Sequence, residues 1–401
     1  MVFSKISLSK FSLKQNRRKI ISFIFLFIVL LPLWMWLIWL CIPKRKLVVA
    51  IIDKTVLTKR GQEHISLNWV LNQQKFSKEN SELYQGDKDY YGFFPLQNKK
   101  FRIKGLERFS ESQLNQLSND ADMVYVTDAY GVYRNEWYGI NDQKERSGIV
   151  YGGMSRQDMY CLEKMKENHK LIMTEFNCLG SPTNDIIRYQ FEGDFGIKWT
   201  GWIGRFFDSL DTTVNLELPK WLIRNYKRQH HNHWPFSKSG IAFVRNDDKV
   251  EILENDTHLN KDIPYMISTV EGQNHYQLPE VIKYSFWFDI INVDNNINHV
   301  ISSFIIDANN AGNLILQKNS IPSSFPAITM HMNDDYKFCY FSADFCDNPI
   351  FFQTSYLKGI HYFDWLLYNS REKQERESFF WQVYRPLVTK VLEDYYATLK
   401  K

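Results

Sequence analysis

The chain reads as an α/β protein: an open parallel sheet with helices on both faces, an added antiparallel β-rich section, and an N-terminal transmembrane helix. Three observations carry this. Apolar runs of strand length at residues 47–53 (LVVAIID), 121–127 (ADMVYVT) and 170–176 (KLIMTEF) alternate with helix-like stretches, the order from which parallel sheets are built. Residues 170–188 read as strand, sharp turn and helix, with Ser181 as N-cap, Pro182 at the first helical position and Asp185 in the first turn. Residues 20–42 contain no charged side chain and are long enough to cross a bilayer as a helix.

Trp34, Trp36 and Trp39 crowd the second half of that apolar run, as an interfacial aromatic belt does. No small-x-small site follows it, so an uncleaved anchor is expected. Lys5, Lys10, Lys14, Arg17, Arg18 and Lys19 make residues 1–19 a basic tail without acids, which favours a cytoplasmic N-terminus. Lys44, Arg45 and Lys46 on the other side weaken that bias, but a long following domain translocates largely regardless of charge. The main domain is therefore expected outside the cytoplasm.

A chain of 401 residues with 44% hydrophobic and 23% charged residues can bury one large core or two modest ones. A net charge of +4 without a basic patch argues against nucleic acid as a partner. The aromatic content of 16% serves a large core or exposes rings that stack on sugars. The cysteines Cys41, Cys161, Cys178, Cys339 and Cys346 form neither a disulfide framework nor a metal-ligand spacing, although Cys339 and Cys346 are near enough in sequence to pair. The cofactor, if the chain uses one, is left open by the sequence.

Along the chain, residues 64–76 place Ile65, Trp69 and Phe76 on one helical face, and residues 77–100 read as a Tyr-rich loop or irregular insertion. Ser155 caps a helix to about Asn168, with Asp158 at the capping-box position. Residues 191–210, with Gly193, Gly196, Gly201 and Gly204, read as loop plus a short helix. Residues 241–244 and 250–253 suit a hairpin around Asn246-Asp247-Asp248. From about 281 to 320, YSFWFDIINV, HVISSFIIDA and NLILQKNSI read as consecutive antiparallel strands with Asn-rich turns. Residues 336–343 (YKFCYFSA) read as a strand returning to the main sheet. The domain thus runs from 43 to 350, and a helical segment follows over 351–401, in which Phe380, Tyr384, Leu387, Val391 and Tyr395 share a face and Pro386 kinks or splits the helix.

Four predicted strands end in acids: Asp53, Asp128, Glu175 and, after the returning strand, Asp344. In an open α/β sheet these carboxyl ends share one edge, so the four acids are the candidate catalytic residues. Clustered carboxylates raise one another's pKa, which suits acid–base work or a hard cation such as Mg²⁺ or Ca²⁺. Lys54, Tyr130, Asn177, Cys178, Thr183 and Arg188 would lie beside them as substrate-binding groups, with Trp202 and Arg205 from KWTGWIGRFF, along with Trp199, able to line a sugar site. The same aromatic spacing also suits a core element. The imidazoles His230, His231 and His233 have no acid at ligand spacing, so no metal set is assigned. Asp120-Ala121-Asp122 matches a D-x-D motif but precedes its strand, and Asn255-Asp256-Thr257 matches a glycosylation sequon.

MTEFNCLGSPT, YVTDAYGVY and CYFSADF together resemble the class I glutamine amidotransferase-like superfamily, nearer its trehalose-utilisation-type and non-amidotransferase branches. The resemblance covers about residues 47–347 and implies a flavodoxin-like sheet, with the turn at Cys178 where working enzymes place a cysteine nucleophile. Phe176 stands where an elbow of the form G-x-C-x-G needs Gly, and CYFSADF lacks the His-Pro-Glu of glutaminases, so glutaminase activity is not expected. The functional expectation is a membrane-anchored, extracytoplasmic domain that binds or cleaves cell-surface polysaccharide, with Glu175 and Asp128 as an acid–base pair. A membrane-anchored glycosyltransferase and a non-catalytic scaffold subunit are the alternatives.

Overall fold

The computed structural model describes residues 21–22, 25–60, 62–139 and 145–400. The basic tail expected at residues 1–19 lies outside the described residues, as do positions 20, 23 and 24 of the expected anchor. Helical backbone occupies residues 25–29 and then α1 (Leu31–Cys41). Among the described residues no helix is long and apolar enough to cross a membrane. Met35 and Trp39 of α1 are buried against the body: the Trp39 indole donates to Asn72 O at 3.1 Å, and Lys358 N–H donates to Met35 O at 3.2 Å.

Fourteen of the described strands build two main sheets. In chain order they are β1 (Val49–Asp53), β2 (Tyr91–Pro95), β3 (Phe101–Lys104), β4 (Met123–Asp128), β5 (Leu171–Glu175), β6 (Ile197–Phe207), β7 (Gly240–Arg245), β8 (Val250–Glu254), β9 (Tyr265–Ser268), β10 (Val281–Lys283), β11 (Trp287–Val293), β12 (His299–Ile305), β13 (Ser324–Met332) and β14 (Lys337–Phe341). The larger sheet has the order β10-β9-β12-β13-β14-β5-β4-β1-β2-β3, and the smaller β8-β7-β6-β11. Five adjacent strands at the heart of the larger sheet, β14, β5, β4, β1 and β2, run parallel, so their carboxyl ends share an edge.

These parallel strands are buried on both faces. Along β1, Val49 and Ile51 join one core, Ala50 and Ile52 the other; along β4, Met123 and Tyr125 separate from Val124 and Val126 in the same way. The first core is covered by α2 (Ile65–Gln73) and by the C-terminal helices; the second by α3 (Glu111–Asp120), α4 (Arg156–Glu167) and α5 (Asp185–Phe195). Ser155 and Asp158 form the expected capping box of α4. The tail helix divides just before Pro386: a wide turn over Phe380–Tyr384 leads into the helix Arg385–Thr398, because proline has no N–H for the regular ladder.

The structure corrects several expectations. Residues 77–100 contain β2, whose Phe93 and Phe94 are buried, so the aromatic run is a strand of the main sheet. Residues 191–210 hold β6, the long strand of the second sheet, where glycine had suggested loop. Gly204 lies under the Phe288 ring, which a Cβ would meet at 2.4 Å, and Gly201, at φ +88°, sits within a bulge opposite β11. The expected antiparallel succession is divided between sheets: β11 pairs with β6 and β12 with β9 and β13. NLILQKNSI lies largely within the helix Asn310–Lys318, capped by the Asn309 side chain, which accepts Gly312 N–H at 3.1 Å. The helix after β5 is capped by Asn184, not Ser181; Asn184 Oδ1 accepts Ile186 N–H at 2.9 Å. The expected return of the late strand holds: β14 pairs parallel with β5.

Candidate functional site

Beyond β14 the chain leaves the larger sheet and bridges to the smaller one, with Asp289 N–H donating to Ser342 O at 2.9 Å and Asp344 N–H to Trp287 O at 3.3 Å. Where the sheets diverge there is a cleft of about 570 Å³. Asp128, Asn177, Asp344, Asp347 and Glu63 line it from the parallel edge and its loops, and Trp199, Arg205, Trp221, Arg245 and Trp287 from the second sheet and its surroundings. Ligand sites at the carboxyl edge of an open α/β sheet follow from the topology, since the loops there diverge.

The four predicted acids divide by role. Asp128 and Asp344 line the cleft. Asp53 and Glu175 lie behind it, each fully buried and hydrogen-bonded into the fold. Asp53 is bonded to the His64 imidazole and accepts Thr55 N–H at 3.0 Å; His64 also reaches Gly86 O at 2.7 Å. This pins the turn that presents Glu63. Glu175 accepts the Tyr125 hydroxyl and the backbone N–H groups of Phe345 and Cys346, at 2.9 and 3.0 Å. This pins the loop that presents Asp344 and Asp347.

Burial sets the protonation of these acids, with their mutual repulsion adding to it. Burial pushes Asp128 up to about 7, helped by the charge of Asp53 and opposed by hydrogen bonds from Tyr130 N–H, Thr55 and Asn177. Burial likewise raises Glu63, with Asp347, Asp344, Asp128 and Asp53 adding repulsion. Asp344 is raised by burial, then by Asp347 and Asp128, against the Arg376 guanidinium. Burial also raises Glu175, against the three hydrogen bonds it accepts. An acid whose pKa stands near neutrality can hold and release a proton at working pH.

The remaining predicted binding residues scatter. Tyr130 and Asn177 line the cleft, and the Asn177 side chain bonds Asp128. Asn177 sits at φ +70° on the turn after β5, so the sharp turn aims an amide into the cleft where the resemblance placed a thiol. Cys178 is fully buried, its sulfur 4.0 Å from Val126 O, and burial pushes the thiol well up, which excludes an activated nucleophile. Lys54 is buried between Glu107 and Asp158 and donates to Gly153 O at 2.9 Å. Against its burial, those carboxylates hold its ammonium protonated.

Thr183 accepts Met154 N–H at 2.9 Å, and Arg188 pairs with Asp185 at 2.9 Å beside the Trp199 ring; neither lines the cleft. Trp202 is core, packed in the cluster that holds Phe243 and Phe288. Arg205 does line the cleft, paired with Glu217 at 2.5 Å, and its buried Nε has no partner among the described residues. Asp122 Oδ2 accepts Val48 N–H at 2.7 Å and Asp120 accepts from Gln116, so the D-x-D acids serve local structure. Cys339 and Cys346 are both free thiols.

Sequence reasoning missed Glu63, Asp347 and Arg376. Arg376 donates to Asp347 O at 2.7 Å and Oδ2 at 3.2 Å and stacks 3.8 Å from the centre of the Phe286 ring. The available signals were the second acid of DFCD, three residues after Asp344, and the Glu-His pair that opens α2. Glu63, Asp344 and Asp347 each bring a carboxylate oxygen within 4.8 Å of the others, so this group is able to hold a metal ion.

No protein-family model and no curated protein matches the chain. Among solved structures it is similar to a putative ThuA-like protein from Bacteroides uniformis, with a TM-score of 0.35 and 10% identity over 79% of this chain and 90% of that one. It is similar to a beta-galactosidase from Bacillus circulans at 0.33 and 10%, over 75% of this chain and 30% of that one. A carbohydrate deacetylase matches at 0.31 and 8%, over 75% of this chain and 30% of that one. The chain therefore spans about 30% of the length of the galactosidase and of the deacetylase.

Proposed function

We propose that this chain is a membrane-anchored, extracytoplasmic α/β domain that takes a cell-surface polysaccharide into the cleft and hydrolyses it. In this reading it is a non-glutaminase branch of the amidotransferase-like superfamily. The observation that carries the reading is the cleft itself, lined by Glu63, Asp128, Asp344 and Asp347 together with Trp199, Trp221, Trp287, Arg205 and Arg245. Aromatic faces stack on the C–H faces of sugar rings, and the guanidinium N–H groups that the pairs of Arg205 with Glu217 and Arg245 with Asp247 leave over donate to hydroxyls. Carboxylates are the groups that glycoside hydrolysis uses.

Asp128 supplies the proton. Neutral up to about pH 7, it donates to the glycosidic oxygen as the bond to the anomeric carbon breaks. A water attacks that carbon and passes its proton to a cleft carboxylate that is ionised in the bound complex, which leaves a sugar hydroxyl on each side. Direct attack by water, with no glycosyl-enzyme intermediate, inverts the configuration at that carbon. The tether in this account is the apolar run of residues 20–42, which enters the bilayer ahead of Met35 and Trp39, the two side chains held against the body, with the basic tail on the cytoplasmic side.

The test uses the full chain in detergent micelles, presented with bacterial and fungal surface polysaccharides, with release of reducing ends as the readout. Release by the wild type that is lost in Asp128→Asn supports the reading. Glycan binding without release supports a binding module, and neither outcome supports the scaffold alternative. A reporter fused after Lys401 that is active only in the cytoplasm contradicts the proposed orientation.

A further inference from the structure

We propose that Glu63, Asp344 and Asp347 bind one hard divalent cation, of the Ca²⁺, Mg²⁺ or Mn²⁺ class, on the acidic side of the cleft. The three carboxylate oxygens lie within 4.8 Å of one another. Ca²⁺–oxygen bonds of roughly 2.3–2.6 Å place two opposed ligands about 4.6–5.2 Å apart and adjacent ligands closer, so one ion fits within such a set. The donors are all carboxylate oxygens, the chemistry that selects hard cations over zinc or copper.

A second observation points to a missing ligand. Asp347 is 4% exposed; its Oδ2 is taken by Arg376, but its buried Oδ1 has no hydrogen-bond partner among the described residues. A buried carboxylate oxygen left in that state costs free energy that a bound cation recovers. The charge balance agrees. Asp53 and Asp128 add their fields to the three acids, and Arg376 offsets only part of the total.

The geometry is also built in advance. Glu175 fixes the loop of Asp344 and Asp347 through two backbone N–H groups, and Asn348 Nδ2 ties that loop to Ser66 Oγ at 3.0 Å, one turn into the helix that Glu63 opens. Ligands supported by such bonds do not have to be gathered when the ion arrives. The polysaccharide reading enters only in what the ion does there: it polarises the water that attacks beside Asp128.

Binding is measured apart from hydrolysis. Full-length chain in micelles, treated with EDTA and dialysed, is titrated calorimetrically with Ca²⁺, Mg²⁺ and Mn²⁺, and Mn²⁺ is also followed by electron paramagnetic resonance. One ion per chain is expected, bound at or below about 1 mM. Asp347→Asn and Glu63→Gln should weaken it at least tenfold, while Asp248→Asn, an acid at the same cleft but outside the cluster, should not. Asp347→Glu and Glu63→Asp keep the charge but displace the oxygens and should also weaken it, which covers the case where a neutral variant fails to fold. No saturable binding by the wild type, or binding that these variants leave unchanged, overturns the proposal. Ion binding without polysaccharide hydrolysis keeps the cation site and removes the hydrolase.

Discussion

The Glu175 carboxylate accepts the Cys346 backbone N–H at 3.0 Å, and through that bond the tip of a central parallel strand fixes the loop that carries Asp344 and Asp347. The acid that stood out most in the sequence therefore lies buried behind the cleft, bonded to the loop that lines it.

Glu175→Ala should unfold the protein more readily, because it strands the Phe345 and Cys346 N–H groups and the Tyr125 hydroxyl in the core. Unmet buried donors cost about 1–3 kcal/mol each, so a loss of at least ~3 kcal/mol is expected in urea unfolding. Glu175→Gln keeps an acceptor oxygen and the side-chain shape and should cost far less. Equal loss in both variants would contradict the supporting role.

Lys54→Met should be among the most destabilising single changes. It leaves Asp158, fully buried, and Glu107 without their cation, and breaking a buried pair in this way costs about 3–5 kcal/mol. Thermal melting measures it. A variant that melts with the wild type would show that the ammonium contributes nothing there.

Cys178 should be inert in the native protein. Its burial and raised thiol predict no alkylation by iodoacetamide until the chain unfolds, and no change in polysaccharide hydrolysis for Cys178→Ala. Rapid native labelling at this position would overturn the assignment of Asn177 as the group the turn presents.

Asp128 predicts a pH signature in stability. Its folded pKa, about 7, lies above the value of 3.8 for a free Asp, so between those values the folded state holds a proton that the unfolded chain has released. Stability from this group is present below about pH 4 and is lost as pH rises through 7. Asp289, also raised to about 7 by burial, contributes in the same sense, so the difference between wild type and Asp128→Asn removes its share and reads Asp128 with the acids it repels. The variant should gain relative stability from pH 5 to pH 8; an unchanged difference would show that Asp128 is not held neutral.

The central architecture was legible because its strands are short, apolar and β-branched, with both faces covered, as Ile51 and Ile52 show by entering opposite cores. That Asp128 and Asp344 reach one cleft followed from topology alone. What failed were positions where one residue type serves two purposes. Gly201 and Gly204 read as loop, yet they admit a bulge and a phenyl ring to a strand. Asn309 read as a turn between strands, yet it caps a helix. Glu63 and Asp347 carry no strand-end signal, because the bonds of His64 and Glu175 to distant parts of the chain decide where they point.

The most direct test of the account compares reducing-end release from a surface polysaccharide by the wild type and by Asp128→Asn, with binding of the same polysaccharide measured in parallel. The account predicts a fall of about 10²–10⁴-fold in release with binding retained, the range expected for removing a general acid. Undiminished release in the variant, or a wild type that neither binds nor cleaves any polysaccharide, would contradict it.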